Sequence, residues 1–189
     1  MTDIKIFVLH YTHLPERKAS ILRQFQEQGI TNFEFIEHYD TECLIPAQLE
    51  KFEETLSFSE ISLFLKHMYA YQQIASHYKE ALILEDNVIL AKNFLQTLDG
   101  YRQELSPDYH LLFLNNGEDQ GQTLYERDVE QGITNKTNKT NMYMINKACA
   151  RRFTSHFAVV QETPACQIDH WMNETARLLR PRVFWASSV

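Results

Sequence analysis

Apolar and polar positions along the chain switch repeatedly between the two-residue period of a strand and the longer period of a helix. IKIFVLHY (4–11) is apolar and β-branched and predicts a first strand. HLPERKASILRQFQEQGI predicts a helix: Pro15 stands near its first turn, Ile21, Leu22 and Phe25 recur at helical spacing, and Gly29 ends it. FEFIEHYD (33–40) alternates and predicts a second strand ending at Asp40, followed by an acidic, poorly patterned connection over 41–56. SFSE (57–60) is a capping box, in which Ser57 bonds the backbone at Glu60 and Glu60 reaches back. The helix it opens carries one apolar stripe, Ile61, Phe64, Leu65, Met68, Tyr71 and Ile74, with Glu60 and His67 on the face beside it.

EALILEDNVIL (80–90) then predicts a buried strand. KNFLQTLDGYRQEL predicts a helix, YHLLFLNN (109–116) a strand, TNMYMIN (140–146) a strand, KACARRFTSHF and QIDHWMNETARLL helices, and RVFWAS a last short strand. The polar stretch 117–139, rich in Gly, Asn, Gln and Thr, reads as a long loop, and loops of that length are usually functional or disordered. Strands alternating with helices imply an α/β class with a mixed or parallel sheet and helices on both faces. The 189 residues suit one domain over 1–189, with no internal repeat.

Composition narrows the function classes. Hydrophobic residues at 44% and charged ones at 23% are ordinary for a soluble globular protein. A net charge of -7 argues against a nucleic-acid partner. The charge is uneven: residues 141–189 hold 6 Lys/Arg against 3 Asp/Glu. That basic tail (Lys147, Arg151, Arg152, Arg177, Arg180, Arg182) suits either solvated helix faces or contact with a phosphate or an anionic membrane surface. Cys43, Cys149 and Cys166 form no C-x-x-C pair and suit a reducing compartment. The start MTDIKIFVLHY lacks the pattern of a secretory signal, and no apolar run is long enough to span a bilayer. A cytoplasmic location, peripheral to the inner membrane face, is the expectation, and the N-x-T sequons at Asn135, Asn138 and Asn173 are read as chance.

The densest chemistry is Glu85-Asp86-Asn87, set between Leu84 and Val88 at the end of the strongest strand. Ligands of open α/β sheets gather at the carboxyl ends of strands, and adjacent carboxylates there suit a hard divalent cation. A polar turn explains the same residues without a ligand. His10 and His13 have no third ligand for zinc. Asp169, with His170 beside it, is either a first-turn helix acid or a functional carboxylate. P-loop, G-x-S-x-G and G-x-G-x-x-G motifs are absent.

Several of these segments, in order, resemble the family 25 glycosyltransferases, which include lipopolysaccharide galactosyl- and glucosyltransferases and the collagen galactosyltransferases. VLHYTHLPERKASI looks like the family's opening segment, with Pro15, Glu16 and Arg17 in place; HYDT matches at Asp40. SEISLFLKHMYAYQQIA retains Glu60, Ile61, Leu65 and His67 of a helix motif, and LILEDN resembles a Leu-Ile-Leu-Glu-Asp-Asp segment. MYMINKACA and QIDHW are weaker likenesses.

The resemblance implies a GT-A-like nucleotide-sugar-binding fold. It implies a UDP-hexose donor and transfer of galactose or glucose, with inversion, to a glycan acceptor, in lipopolysaccharide or surface-glycan biosynthesis. Mn²⁺ or Mg²⁺ would be held at Glu85, Asp86 and Asn87. Asp169 is the candidate base and Asp86 a second catalytic carboxylate; His10, Arg17, Asp40, Glu60 and His67 are the candidate donor-binding residues, Arg17 pairing with the diphosphate. The chain departs from the family at His10, Ser62, Lys66 and Asn87, where Asn, Gly, Ser and Asp are usual. Those departures carry the alternative that the protein is a catalytically lapsed relative, binding a sugar nucleotide or a partner.

Overall fold

The computed structural model describes residues 4–114, 124–127, 140–159 and 164–186. In chain order these form β1 (Lys5–Leu9), α1 (Pro15–Gln28), β2 (Phe33–Ile36), a 3-10 turn (Thr41–Cys43), α2 (Pro46–Leu49), α3 (Phe58–His77), β3 (Glu80–Glu85), α4 (Phe94–Glu104), β4 (Leu111–Phe113), β5 (Leu124–Arg127), β6 (Met142–Asn146), α5 (Lys147–Val159), α6 (Ile168–Leu179) and β7 (Val183–Ala186). The strands make one sheet of order β2-β1-β3-β6-β4-β7-β5. β6 runs antiparallel to β3 and β4, β5 runs antiparallel to β7, and the other pairings are parallel. The sheet is therefore mixed, with β1, β2, β3, β4 and β7 ending at one edge.

The alternating side chains of β3 explain why its sequence is apolar throughout. Ala81 and Ile83 pack with α3, α5 and α6 on one face. Leu82 and Leu84 pack with α1 and α4 on the other. A strand covered on both faces has no polar side to show. The stripe of α3 is buried as its period predicts. Its first turn is closed by the Ser57–Glu60 box: the Ser57 amide donates to Glu60 at 2.7 Å, and the Glu60 amide donates to Ser57 Oγ at 3.3 Å.

Three expectations change. The second strand stops at Ile36, because Tyr39 takes the left-handed region at φ 68 and turns the chain. The connection over 41–56 holds two short helical pieces; Pro46, at the start of α2, is pre-set for a first helical turn. The stretch 117–139 contains a strand, Leu124–Arg127, and is otherwise outside the described residues. That strand adds to the sheet edge on β7, where the Arg182 guanidinium grips Glu126 with two bonds of 2.7 Å. Its four residues are too few to stand out among polar neighbours.

The basic tail has a largely architectural use. Lys147 and Arg151 on α5 donate to the carbonyls of Ser76 and Ala75 at the end of α3, and Arg152 donates to that of Leu179 at the end of α6. Cations there satisfy free carbonyls and offset the negative end of the helix dipole. Among the described residues, no helix is long and apolar enough to cross a membrane.

Candidate active site

The acidic residues of interest meet where β1, β2 and β3 end. Glu85 closes β3, its amide bonded to the Asn141 carbonyl at 2.8 Å, and the next amide, of Asp86, bonds the Leu9 carbonyl of β1 at 3.2 Å. Backbone pairing on both sides thus fixes where these two carboxylates begin.

Asp86 is buried and fully engaged. Its Oδ2 accepts from His10 Nδ1 at 2.8 Å and from the Tyr11 amide at 3.3 Å, and its Oδ1 accepts from Arg17 Nη1 at 3.1 Å. The carboxylate therefore ties the turn after β1 to the first turn of α1. Arg17 remains 45% exposed, so the guanidinium is anchored on one side and open on the other.

Glu85 has a different environment. Burial, then the neighbouring Asp169 and Asp86 carboxylates, push its pKa up to about 7, with only Arg17 pulling it down. Asp169, in the first turn of α6, is buried, and Thr140 Oγ1 donates to it. Burial raises its carboxyl above the usual range, and the Thr140 bond and His170 oppose that only in part. Thr140 and Asn141 are adjacent, and Asn141 bonds the Glu85 amide, so the two residues leading into β6 bring Asp169 near Glu85. Three carboxylates thus come together, and the Arg17 guanidinium acts on two of them, Glu85 and Asp86. What this arrangement lacks electrostatically is positive charge or a proton.

Asp40 and Lys66 make a second, fully internal pair. Each is 3% exposed. Lys66 Nζ on α3 donates to Asp40 Oδ1 at 2.5 Å, to the His10 carbonyl at 2.5 Å and to the Ile36 carbonyl at 3.4 Å. Asp40 Oδ2 accepts from the Thr12 amide at 3.1 Å and its hydroxyl at 2.6 Å. Burial would push the Asp40 carboxyl up, but the bonds from Lys66 and Thr12 outweigh it and hold it below its ordinary value.

The remaining expected residues are scattered. Asn87 is exposed on the rim. Glu60 is held by Ser57 and by Gln167, the residue preceding α6, which links the starts of α3 and α6. His67 is fully buried: its Nδ1 meets the Tyr143 hydroxyl at 2.7 Å, and that hydroxyl meets Tyr71 at 2.5 Å. Burial pushes the His67 pKa down to about 3, so the ring is neutral. A cleft of about 750 Å³ lies at the opposite edge, between Lys79, Arg102, Tyr109 and Lys147. It contains none of these carboxylates.

The sequence matches the family model described as glycosyltransferase family 25 (LPS biosynthesis protein) over residues 3–172. The chain belongs to glycosyltransferase family 25. A relative from Acanthamoeba polyphaga mimivirus, named as a glycosyltransferase, is 28% identical over 146 residues, which is 70% of this chain and 45% of that protein. The chain thus spans less than half the length of this relative. The family 25 match runs from β1 into α6, so every residue of the acidic cluster lies within it. The mixed α/β sheet with helices on both faces is consistent with the GT-A-like fold that membership implies.

A divalent cation can be tested against these residues. Among the described residues, no three His, Cys, Asp or Glu side chains gather as a ready-made metal cage. The chemistry nevertheless fits a Mg²⁺-type ion, which takes one or two carboxylates and completes its shell with substrate phosphates and water. Glu85 supplies an under-compensated carboxylate, and Asn87, exposed two residues further on, carries an amide oxygen. Asp86 is already bound on both oxygens. Tyr11, Thr12 and Thr140, which hold these groups in place, carried no local sequence signal.

Proposed function

We propose that this family 25 member transfers a hexose, galactose or glucose, from a UDP-sugar to a glycan hydroxyl with inversion, in lipopolysaccharide or other surface-glycan assembly. The observation that carries this reading is the convergence of Glu85 and Asp169, both with raised pKa, beside an anchored and half-open Arg17. Arg17 pairs with the donor diphosphate, for which its forked donors are suited. Glu85 and Asn87 would hold Mn²⁺ or Mg²⁺, and the ion would supply positive charge to offset that of a diphosphate leaving group. Asp169 accepts the proton of the acceptor hydroxyl as that oxygen bonds to the anomeric carbon. The bond from the anomeric carbon to the phosphate oxygen breaks, and UDP leaves with the electron pair. Asp86 acts in this scheme by holding Arg17 and His10.

The free thiols of Cys43, Cys149 and Cys166 suit work in the cytoplasm. Peripheral contact with the inner membrane face is part of this proposal; Lys147, Arg151 and Arg152 contribute little to it, since they hold helix ends.

Incubation with UDP-galactose or UDP-glucose and Mn²⁺ should release UDP slowly without acceptor and faster with one. Metal-dependent UDP binding without release for any acceptor would favour a lapsed, nucleotide-sugar-binding relative; failure to bind any UDP-sugar would overturn the reading. Asn87→Asp adds a carboxylate two residues from Glu85 and should tighten Mn²⁺ binding in calorimetry. An unchanged Kd would remove Asn87 from the cation's shell.

A further inference from the structure

We infer that Lys66 is a positioning residue for the donor site, acting from inside the protein through the turn that follows β1. The inference rests on the donor site proposed above, but its geometry stands apart from any ligand. Lys66 has three N–H donors and uses each on a separate acceptor: the Asp40 carboxylate, the His10 carbonyl and the Ile36 carbonyl. These acceptors belong to the turn after β2, the end of β1 and the end of β2. One ammonium on α3 thus fixes the ends of two parallel strands and a turn to one point.

The connection continues outward in two steps. Asp40 carries the restraint to Thr12 through the Thr12 amide and hydroxyl. Between the two anchored points, His10 O and Thr12, lie the His10 ring and the Tyr11 amide, and both donate to Asp86. Asp86 in turn holds Arg17. The segment from His10 to Thr12 is therefore clamped from beneath by Lys66 and Asp40, and it presents the donors that orient Asp86. The same pairing commits both Asp40 oxygens to the protein. Asp40 therefore serves the donor through this turn, without touching the nucleotide.

Losing the lysine alone leaves a buried carboxylate unpaired, which harms folding as well as function. The informative protein is the double variant Lys66→Met/Asp40→Asn, which removes both charges while the new amide oxygen can still accept from Thr12. Removing both charges of a buried pair is often close to neutral for stability. The double variant should regain most of the melting temperature that Lys66→Met loses. It should still bind UDP about tenfold more weakly than the natural protein, the scale typical of lost supporting contacts. Its His10 Nδ1–H resonance, shifted by the bond to Asp86, should move or broaden. A double variant with native melting temperature, native UDP affinity and an unmoved His10 resonance would show that the pair is only structural, and would overturn the inference. If the natural protein does not bind UDP, the proposed function fails, and the His10 resonance still decides the role of Lys66.

Discussion

Asp169→Asn should lower the rate of hexose transfer by about a hundred- to ten-thousand-fold, the span of a lost general base. UDP affinity should change little. An amide keeps the size of the side chain and can still accept the Thr140 hydroxyl, so α6 and its first turn should stay in place. What it cannot do is take a proton. The native carboxyl is well placed for that task because burial raises its pKa, making it a stronger proton acceptor than an exposed aspartate. The base must be ionised to work, so the rate of the natural protein should climb as pH rises through the folded pKa of Asp169, above the ordinary Asp range. The residual activity of the Asn variant should lack that limb. Turnover at saturating donor, followed against pH, checks this with calorimetry of UDP. Native turnover in the variant would remove Asp169 as the base and leave Glu85 as the remaining raised carboxylate.

The sequence carried the architecture further than it carried the site. β3 is legible because a strand buried on both faces must be apolar at every position, and ALIL is. α3 is legible because a capping box and a 3.6-residue stripe are local facts. β5 was not legible, because its four residues become a strand only through a partner, β7, far along the chain.

The site divides along the same line. Glu85, Asp86 and Asn87 announce themselves by interrupting an apolar run. The placement of Asp169 beside Glu85 depends on β6 running antiparallel to β3, which no period encodes. The bonds that define Asp86 reach back to His10, Tyr11 and Arg17, about seventy residues away. Lys66 illustrates the limit best. As a letter in a helix motif it is only a bulky departure from a usual serine. In three dimensions it is the partner of Asp40, another residue of the motif set, and the two can be understood only together.

Glu85→Gln should make the protein more stable at pH 8, leave stability unchanged at pH 4, and weaken its response to Mn²⁺. The sign follows from the raised pKa. Folded Glu85 titrates at about 7, against an ordinary value of 4.5. The folded chain therefore holds this proton more tightly than the unfolded one. The stabilisation is fully present below pH 4.5 and is lost as pH rises toward 7. Above that window the natural protein carries a desolvated charge facing Asp169 and Asp86, at a cost on the order of 3 kcal/mol. Glutamine never carries it. Melting curves at pH 8 without metal should then place the variant higher by roughly 10 °C, and the two proteins should converge at pH 4. Mn²⁺ should reverse the order at pH 8, because a ligand that binds only the folded state raises its melting temperature and the variant has lost the carboxylate that holds it. A variant that melts lower than the natural protein at pH 8 without metal would mean that Glu85 is already paired inside the fold. A Mn²⁺ response equal in both proteins would take Glu85 out of the cation's shell while leaving its strained protonation intact.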